Sequence, residues 1–342
     1  MNDKFQKAKQ NALDKVYDKQ TGTMIKQLQK EYQRAYKEIK VEINEWLEKI
    51  EKGVIKTPDF RYSRLHQLED LEKQIRLILE ELAEIEVKIV EEGIKTTYVS
   101  DYIDLQKINN KYLDMSLNTS LPEFNSLNSA QFLEAFINAP SLAKTTTLEI
   151  AKQIDLDWFY DGTAGRWFDA RIYERHNKFG YTLKETIRKE MIKGNTLNQM
   201  STQIARDFDT TFKHAKTLIR TEVATAENIA TVHNAQKLGY NALKFSCMNR
   251  ETTCEVCKSM NGKIFLVTEI NGNELVMHPN CRCVLQETTV DENGKEINKV
   301  DLDDALAFRR ERANKRDEQN RKIKEDFLRK KKQTIKQSKP RL

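Results

Sequence analysis

LEDLEKQIRLILEELAEIEVKIV, residues 68–90, repeats an apolar residue at alternating steps of three and four. Leu68, Leu71, Ile75, Ile78, Leu82, Ile85 and Ile89 keep this alternation, with Glu and Lys at many flanking positions. That spacing puts the apolar side chains on one stripe of an α-helix, and the charged borders make it a coiled-coil-type seam. A partner lies just upstream. Residues 2–52 read as helix with one weak break at Gly22, and Ile25, Leu28, Tyr32, Tyr36, Ile39, Ile43 and Trp46 share a face. Gly53 and Pro58 then interrupt the pattern. The seam is expected to close as an antiparallel hairpin inside one chain. A parallel oligomeric coil is the other reading, less favoured because the seam is short and the first helix is at hand.

Downstream, Gly93 is expected to end the seam helix and a third helix to run over 99–115. SLNTSLPEFNSLNSA, residues 116–130, reads as a linker. DWFYDGTAGRWFDARIYERHN, residues 157–177, reads as a core-forming aromatic patch around a loop at Gly162 and Gly165, with an interaction surface as the alternative. Three helices follow up to Gly239, separated at Gly194–Asn195 and at the FDTT turn of residues 208–211. Beyond Gly239 the pattern turns to short β-type runs: ALKFSCMN, GKIFLVTE, ELVMH and RCVLQET. Asn271–Gly272–Asn273 signals a hairpin between the middle two. The predicted fold is mainly α with a small β unit (α+β): a helical hairpin region over 1–115, the linker over 116–130, a helical part over 131–240, a Cys/His-stapled β-hairpin unit over 241–290, and a basic helical or disordered tail over 291–342.

The charge is uneven. Residues 309–342 hold fifteen Lys and Arg against five Asp and Glu, a surplus of ten, so the remaining 308 residues sum to −4 within a net charge of +6. Charged residues make up 32% of the chain, above the usual figure of about 25%, which suits long solvated helices. No apolar run is long enough for a membrane span, and the first residues have no apolar core that would serve as a signal peptide. Synthesis in a cytoplasm, where thiols stay reduced, is the expectation.

Four of the five cysteines and one of the five histidines fall between Thr252 and Cys283. Cys254 and Cys257 form a C-x2-C pair, and His278, Cys281 and Cys283 follow. That spacing matches a structural zinc site, with Cys254, Cys257, His278 and Cys281 as the expected set and Cys283 as the alternative fourth ligand. Zinc would compensate for the small core of a short β unit. A metal-free cluster of packed thiols and a disulfide formed outside a reducing cell are the other readings. An odd number of cysteines disfavours the disulfide. Catalysis has less support: no H-x-E, H-E-x-x-H, G-x-x-x-x-G-K-[ST] or G-x-G-x-x-G occurs. A zinc- or thiol-dependent enzyme, a nuclease or hydrolase with His278 as base, stands as the alternative, and a DNA-binding zinc ribbon as a third. A second group, Arg220–Thr221–Glu222, reads as a cap at a helix start, or else as a buried Arg–Glu network that anchors the β unit.

These parts together resemble the Mu F-like phage head morphogenesis family, over residues 150–290. Arg220, Thr221, Glu222, Cys254, Cys257, Gly262, Lys263, His278, Pro279, Cys281, Arg282 and Cys283 carry the resemblance. Arg250 fits it too, but Asn249 stands where an aspartate is usual. The resemblance implies a non-enzymatic minor capsid protein in the virion, inside the head near the portal vertex, made in the host cytoplasm and acting in head assembly, DNA packaging or DNA delivery. Its implied partners are the portal protein, capsid or scaffold proteins and phage double-stranded DNA, with no membrane during assembly. The basic tail, with Arg329, Lys330, Lys331 and Lys332, suits non-specific contact with DNA phosphates. A solvated charged helix or contact with acidic portal or scaffold surfaces are its other readings.

Overall fold

The computed structural model describes residues 3–53, 69–113, 167–193, 195–237, 240–247, 253–270 and 275–288. The expected linker, the loop at Gly162 and Gly165, the Asn271–Gly272–Asn273 turn and the basic tail with Arg329–Lys332 lie outside these residues. The described elements are α1 (Asp3–Glu51), α2 (Glu69–Leu113), α3 (Trp167–Ile192), α4 (Leu197–Lys237), β1 (Ala242–Ser246), α5 (Glu255–Met260), β2 (Ile264–Leu266) and β3 (Val284–Thr288). The fold is mainly α with a small three-stranded sheet, and no described helix is long and apolar enough to cross a membrane. Two compact units divide it. One takes α1 up to Met24, α2 from Val90, α4 from Thr217 and the sheet. The other takes α1 from Ile25, α2 up to Ile89, α3, and α4 up to Lys216.

In the second unit the hairpin closes inside one chain. Tyr32 donates to Glu86 at 3.1 Å and Arg34 to Glu81 at 2.9 Å, so a step forward along α1 matches a step back along α2. Leu28, Tyr32, Ile39, Ile43 and Trp46 of α1 are buried, as are Leu71, Ile75, Leu79 and Leu82 of α2. The α2 stripe is rotated from the expected one: Leu79, Glu86 and Val90 are buried where Ile78, Ile85 and Ile89 are half-buried. The reason is a second neighbour, since α3 also packs on α2 through Arg175, His176 and Lys184. Two partners widen the buried face beyond a two-helix seam. Phe208 of α4 meets Tyr32, Tyr36 and Phe179 edge-on.

Glu86 is the polar centre of this unit. Its side chain is fully buried and takes Arg175 on one oxygen, with His176 at 2.9 Å and Tyr32 at 3.1 Å on the other. Burial alone would push this carboxyl up, but the charges and hydrogen bonds of Arg175 and His176 outweigh it and hold the carboxyl at about 2.

In the first unit α4 is enclosed on all sides. Every residue from Thr221 to Val232 is buried. Helices enclosed all round are core helices, and the Ala and Thr residues of TEVATAENIATV let neighbours approach closely. The hydroxyls of Thr221, Thr225 and Thr231 return to carbonyls four residues back, which satisfies them within the helix. A buried polar chain crosses the unit. Lys9 of α1 pairs with Glu287 of β3 at 2.6 Å, Glu287 accepts from Asn234 of α4, and the Asn234 carbonyl accepts from Gln106 and Asn109 of α2.

Several expected breaks are absent. Gly22 lies inside α1, which runs unbroken, and Gly93 lies inside α2, so the expected third helix is the end of the second. Gly93 serves close packing: a Cβ there would meet Met24 Sδ at 2.2 Å. FDTT continues α4, with Thr210 and Thr211 bonding to carbonyls one turn back. The described part of ELVMH, residues 275–278, forms no strand, and Leu275 lies in a short 3-10 turn. The sheet order is β2-β1-β3, antiparallel throughout, with Leu243 opposite Phe265 on one side and Glu287 on the other. β1 thus takes the central place that the expected hairpin gave to its own two arms.

Removing one partner of the Glu86 cluster leaves a buried charge. Arg175→Met is expected to cost about 3–5 kcal/mol in urea unfolding at pH 7. The sign with pH follows from the low folded value. Glu86 contributes stability above its unfolded range near 4.5, and that contribution is lost as pH falls toward about 2. Glu86→Gln should flatten this acid limb of the stability curve.

Candidate metal centre

The donors converge because two turns and a helix start point them at one place. Cys254 caps α5: its backbone is extended (φ −71, ψ 159) and its sulfur accepts from Cys257 N at 3.4 Å. A thiol here does what Ser or Asp does at other helix starts, and the cap sets Cys254 and Cys257 on one turn. The hydrogen bond from Cys257 N is the main cause that lowers the Cys254 thiol below its ordinary range. α5 ends in a turn closed by Lys263 N to Met260 O at 3.1 Å, with Asn261 at φ −60, ψ 128 and Gly262 at φ 82. These are type II values, which call for glycine at the third position.

The second turn has the same logic. Cys281 N bonds to His278 O at 3.0 Å, Pro279 takes the second place, and Asn280 has φ 60. H-P-N-C therefore spells a type II turn with Pro and Asn where that turn prefers them. Asn280 N also donates to Thr221 Oγ1 at 3.2 Å, which ties the turn to α4.

Donor atoms of Cys254, Cys257 and His278 lie within 4.8 Å of one another, and so do those of Cys257, Cys281 and Cys283. Cys257 belongs to both groups. Its sulfur is 3.7 Å from Cys281 Sγ and 3.2 Å from His278 Nε2. All five cysteines are free thiols, and 3.7 Å is far from the disulfide length of about 2.05 Å. A tetrahedral zinc with Zn–S near 2.3 Å sets neighbouring sulfurs about 3.8 Å apart and sulfur and nitrogen about 3.5 Å apart. The two spacings from Cys257 lie near those values, while the donors gather as two groups of three that share Cys257. His278 Nδ1 lies 2.8 Å from Pro279 O. A carbonyl only accepts, so Nδ1 carries the proton and Nε2 presents its lone pair to the sulfurs, the arrangement usual for a ligating histidine. These Cys/His groups can hold a metal ion. Without one, burial pushes the Cys257 thiol up to about 12, while hydrogen bonding from Cys283 brings Cys281 down to about 5.

Arg282 lies between two of these cysteines and reaches the helices. It donates to Glu227 at 2.9 Å and Asp14 at 2.6 Å, and its guanidinium stands 3.4 Å over the Tyr17 ring. The Arg220–Thr221–Glu222 group is not at a helix start, so the capping reading is corrected: all three lie well inside α4. Arg220 is exposed, Thr221 receives Asn280 N, and Glu222 is fully buried. The arginine that reaches a carboxylate of α4 is Arg282. A signal for its partner was present, because a glutamate inside the small and apolar run EVATAENIATV needs a partner once buried. The Lys9–Glu287–Asn234 chain had no sequence signal, since its members lie in separate elements. Cys247 is buried and outside both donor groups. Asn249 and Arg250 lie outside the described residues.

Residues 181–286 match the family model for phage Mu protein F-like proteins. Over this segment the chain is similar to that family. No curated protein and no solved structure gives a significant match. The Mu F-like segment contains all the metal donors, Arg282 and Glu227, but Lys9, Asp14, Tyr17 and Asn109 precede it. α1 and α2 therefore supply polar partners that the matched segment lacks.

Asn280 tests the second turn. Asn280→Gly should be tolerated, whereas Asn280→Val should cost about 1–2 kcal/mol for a left-handed backbone, read by urea unfolding. Arg282→Met should cost about 3–5 kcal/mol by leaving Glu227 buried and unpaired.

Proposed function

We propose that the chain is a minor head protein of a tailed phage that acts by binding and not by catalysis. The family match over 181–286 carries this reading and points to phage head morphogenesis and to other head components as partners. In this reading the protein sits inside the head near the portal vertex, contacts the portal protein, and takes part in head assembly, DNA packaging or DNA delivery. Residues 309–342, with Arg329–Lys332, meet packaged double-stranded DNA through phosphate contacts without sequence choice.

The Cys/His cluster has a structural task in the same reading. Zinc on Cys254, Cys257, His278 and Cys281, with Cys283 as the alternative fourth ligand, closes all four positions and leaves none for substrate. The spacings from Cys257 to Cys281 and His278, and the contact of His278 Nδ1 with Pro279 O, support a metal here. Metal analysis of the purified protein should find one zinc per chain. Cys257→Ser should lose the metal and the cooperative unfolding of the β unit together. A site with an open, exchangeable water position would instead favour the enzyme.

Co-expression with the portal protein of the same phage is the direct test of function. Stable co-purification, with the protein present in assembled heads, is the expected outcome. Free diffusion of the chain away from portal and heads would reject it. Deleting 309–342 should abolish DNA affinity that falls steeply between low and high salt. Unchanged DNA binding after that deletion would remove the tail from the proposal.

A further inference from the structure

Asp101 of α2 is 1% exposed, and neither of its carboxylate oxygens has a hydrogen-bond partner. This is unusual: a buried carboxylate with no donor and no cation is among the costliest groups a fold can hold. Its surroundings do not relieve it. From α4 it faces Glu227, whose Oε2 takes Arg282 while Oε1 has no partner. From α2 itself it meets Asp104, and Arg282 acts on it from the segment before β3. α1 adds Asp14, Tyr17 and Asp18, which act on Arg282 or Glu227. Arg282 is already committed to Glu227 and Asp14. Among the described residues no third Cys, His, Asp or Glu forms a metal-sized group with Asp101.

We propose that Asp101 is held as a neutral carboxylic acid in the folded protein, and that its proton is a latch on the contact between α2 and the Arg282–Glu227 pair. Asp101, Glu227 and Asp14 gather around one arginine, with Asp104 and Asp18 acting from nearby, and one proton on Asp101 reduces this excess of negative charge. Loss of that proton places a second uncompensated negative charge beside Glu227. The packing around Arg282 then loosens, and with it the segment that carries Cys281 and Cys283. The latch is thus sensitive to alkaline pH. Burial, with Glu227 as the next cause, pushes the Asp101 carboxyl well above its ordinary range, in agreement with the geometry.

The sign follows from linkage. The unfolded Asp101 ionises near pH 4 and the folded one much higher, so between those values the folded state holds the extra proton and stability falls as pH rises. Asp101→Asn keeps the shape and removes the group. The folding constant of Asp101→Asn relative to wild type, from urea unfolding between pH 5 and 9, should rise about tenfold per pH unit until the folded group ionises. A ratio that stays flat across this range, or an Asn variant less stable throughout, overturns the proposal. Glu227→Gln, which removes the partner of Arg282, should destabilise at every pH. If Asp101→Asn does not fold, wild type labelled with 13C-aspartate decides. An isotope-shifted C=O stretch of a protonated carboxyl at pH 7 supports the latch, and its absence overturns it.

Discussion

The first unit depends on a stretch of helix that has no outer face. α4 is buried over Thr221–Val232, so every polar group on that stretch must find its partner inside the protein. Three are satisfied locally, the hydroxyls of Thr221, Thr225 and Thr231 bonding one turn back. Glu227 and Asn234 cannot be. Their partners come from the segment before β3, from β3 itself, and from α2: Arg282, Glu287, Gln106 and Asn109. The demand for partners fixes which elements must lie against α4, and this decides where the sheet and its cysteine-bearing segments sit.

Apolar burial alone would not define that arrangement so narrowly. Ala, Val and Ile on α4 accept many neighbours, since volume-conserving contacts are interchangeable at small cost. A bidentate arginine is not interchangeable. Arg282 needs Glu227, Asp14 and the Tyr17 ring at once, and a shift of one residue in the segment before β3 would send it away from all three. The polar contacts give the register and the apolar ones give the bulk of the stability.

Much of the fold was legible because periodicity is a local property. The stripes of residues 25–46 and 68–89 marked two helices and their intramolecular pairing. The stripe on α2 was placed on a narrower face than it occupies, since a third helix packs beside it and sequence spacing records how wide a face is only through residues such as Glu86 that look polar. Glycines misled for a related reason. Gly93 reads as a stop, yet it admits Met24 against the helix, and a close approach between distant segments leaves no local trace. FDTT looked like a turn because Asp and Thr favour turns, but the two threonine hydroxyls are accommodated inside a long helix once tertiary packing supports it. The cysteine and histidine positions were legible as a donor set, whereas the type II turns at H-P-N-C and N-G-K emerge only in the structure. The identity of the anchoring arginine was not legible either. Arg220 and Arg282 are equal candidates until α4 is seen to turn Arg220 outward.

The C-R-C sequence at residues 281–283 joins these two halves of the argument. Cys281 and Cys283 share one donor group with Cys257, while Arg282 reaches Glu227 and Asp14. Successive side chains of an extended segment point to opposite sides. A spacing of two therefore sends both sulfurs to one side and the guanidinium to the other. C-x2-C, the spacing used at Cys254 and Cys257, suits a helix start, where residues three apart fall on one turn. It would not serve in an extended segment, because it would put one sulfur on each side. The two spacings in one cluster thus follow from the two backbones that carry them. The segment before β3 is fixed from both sides at once, by sulfur chemistry toward α5 and by charge toward α1 and α4.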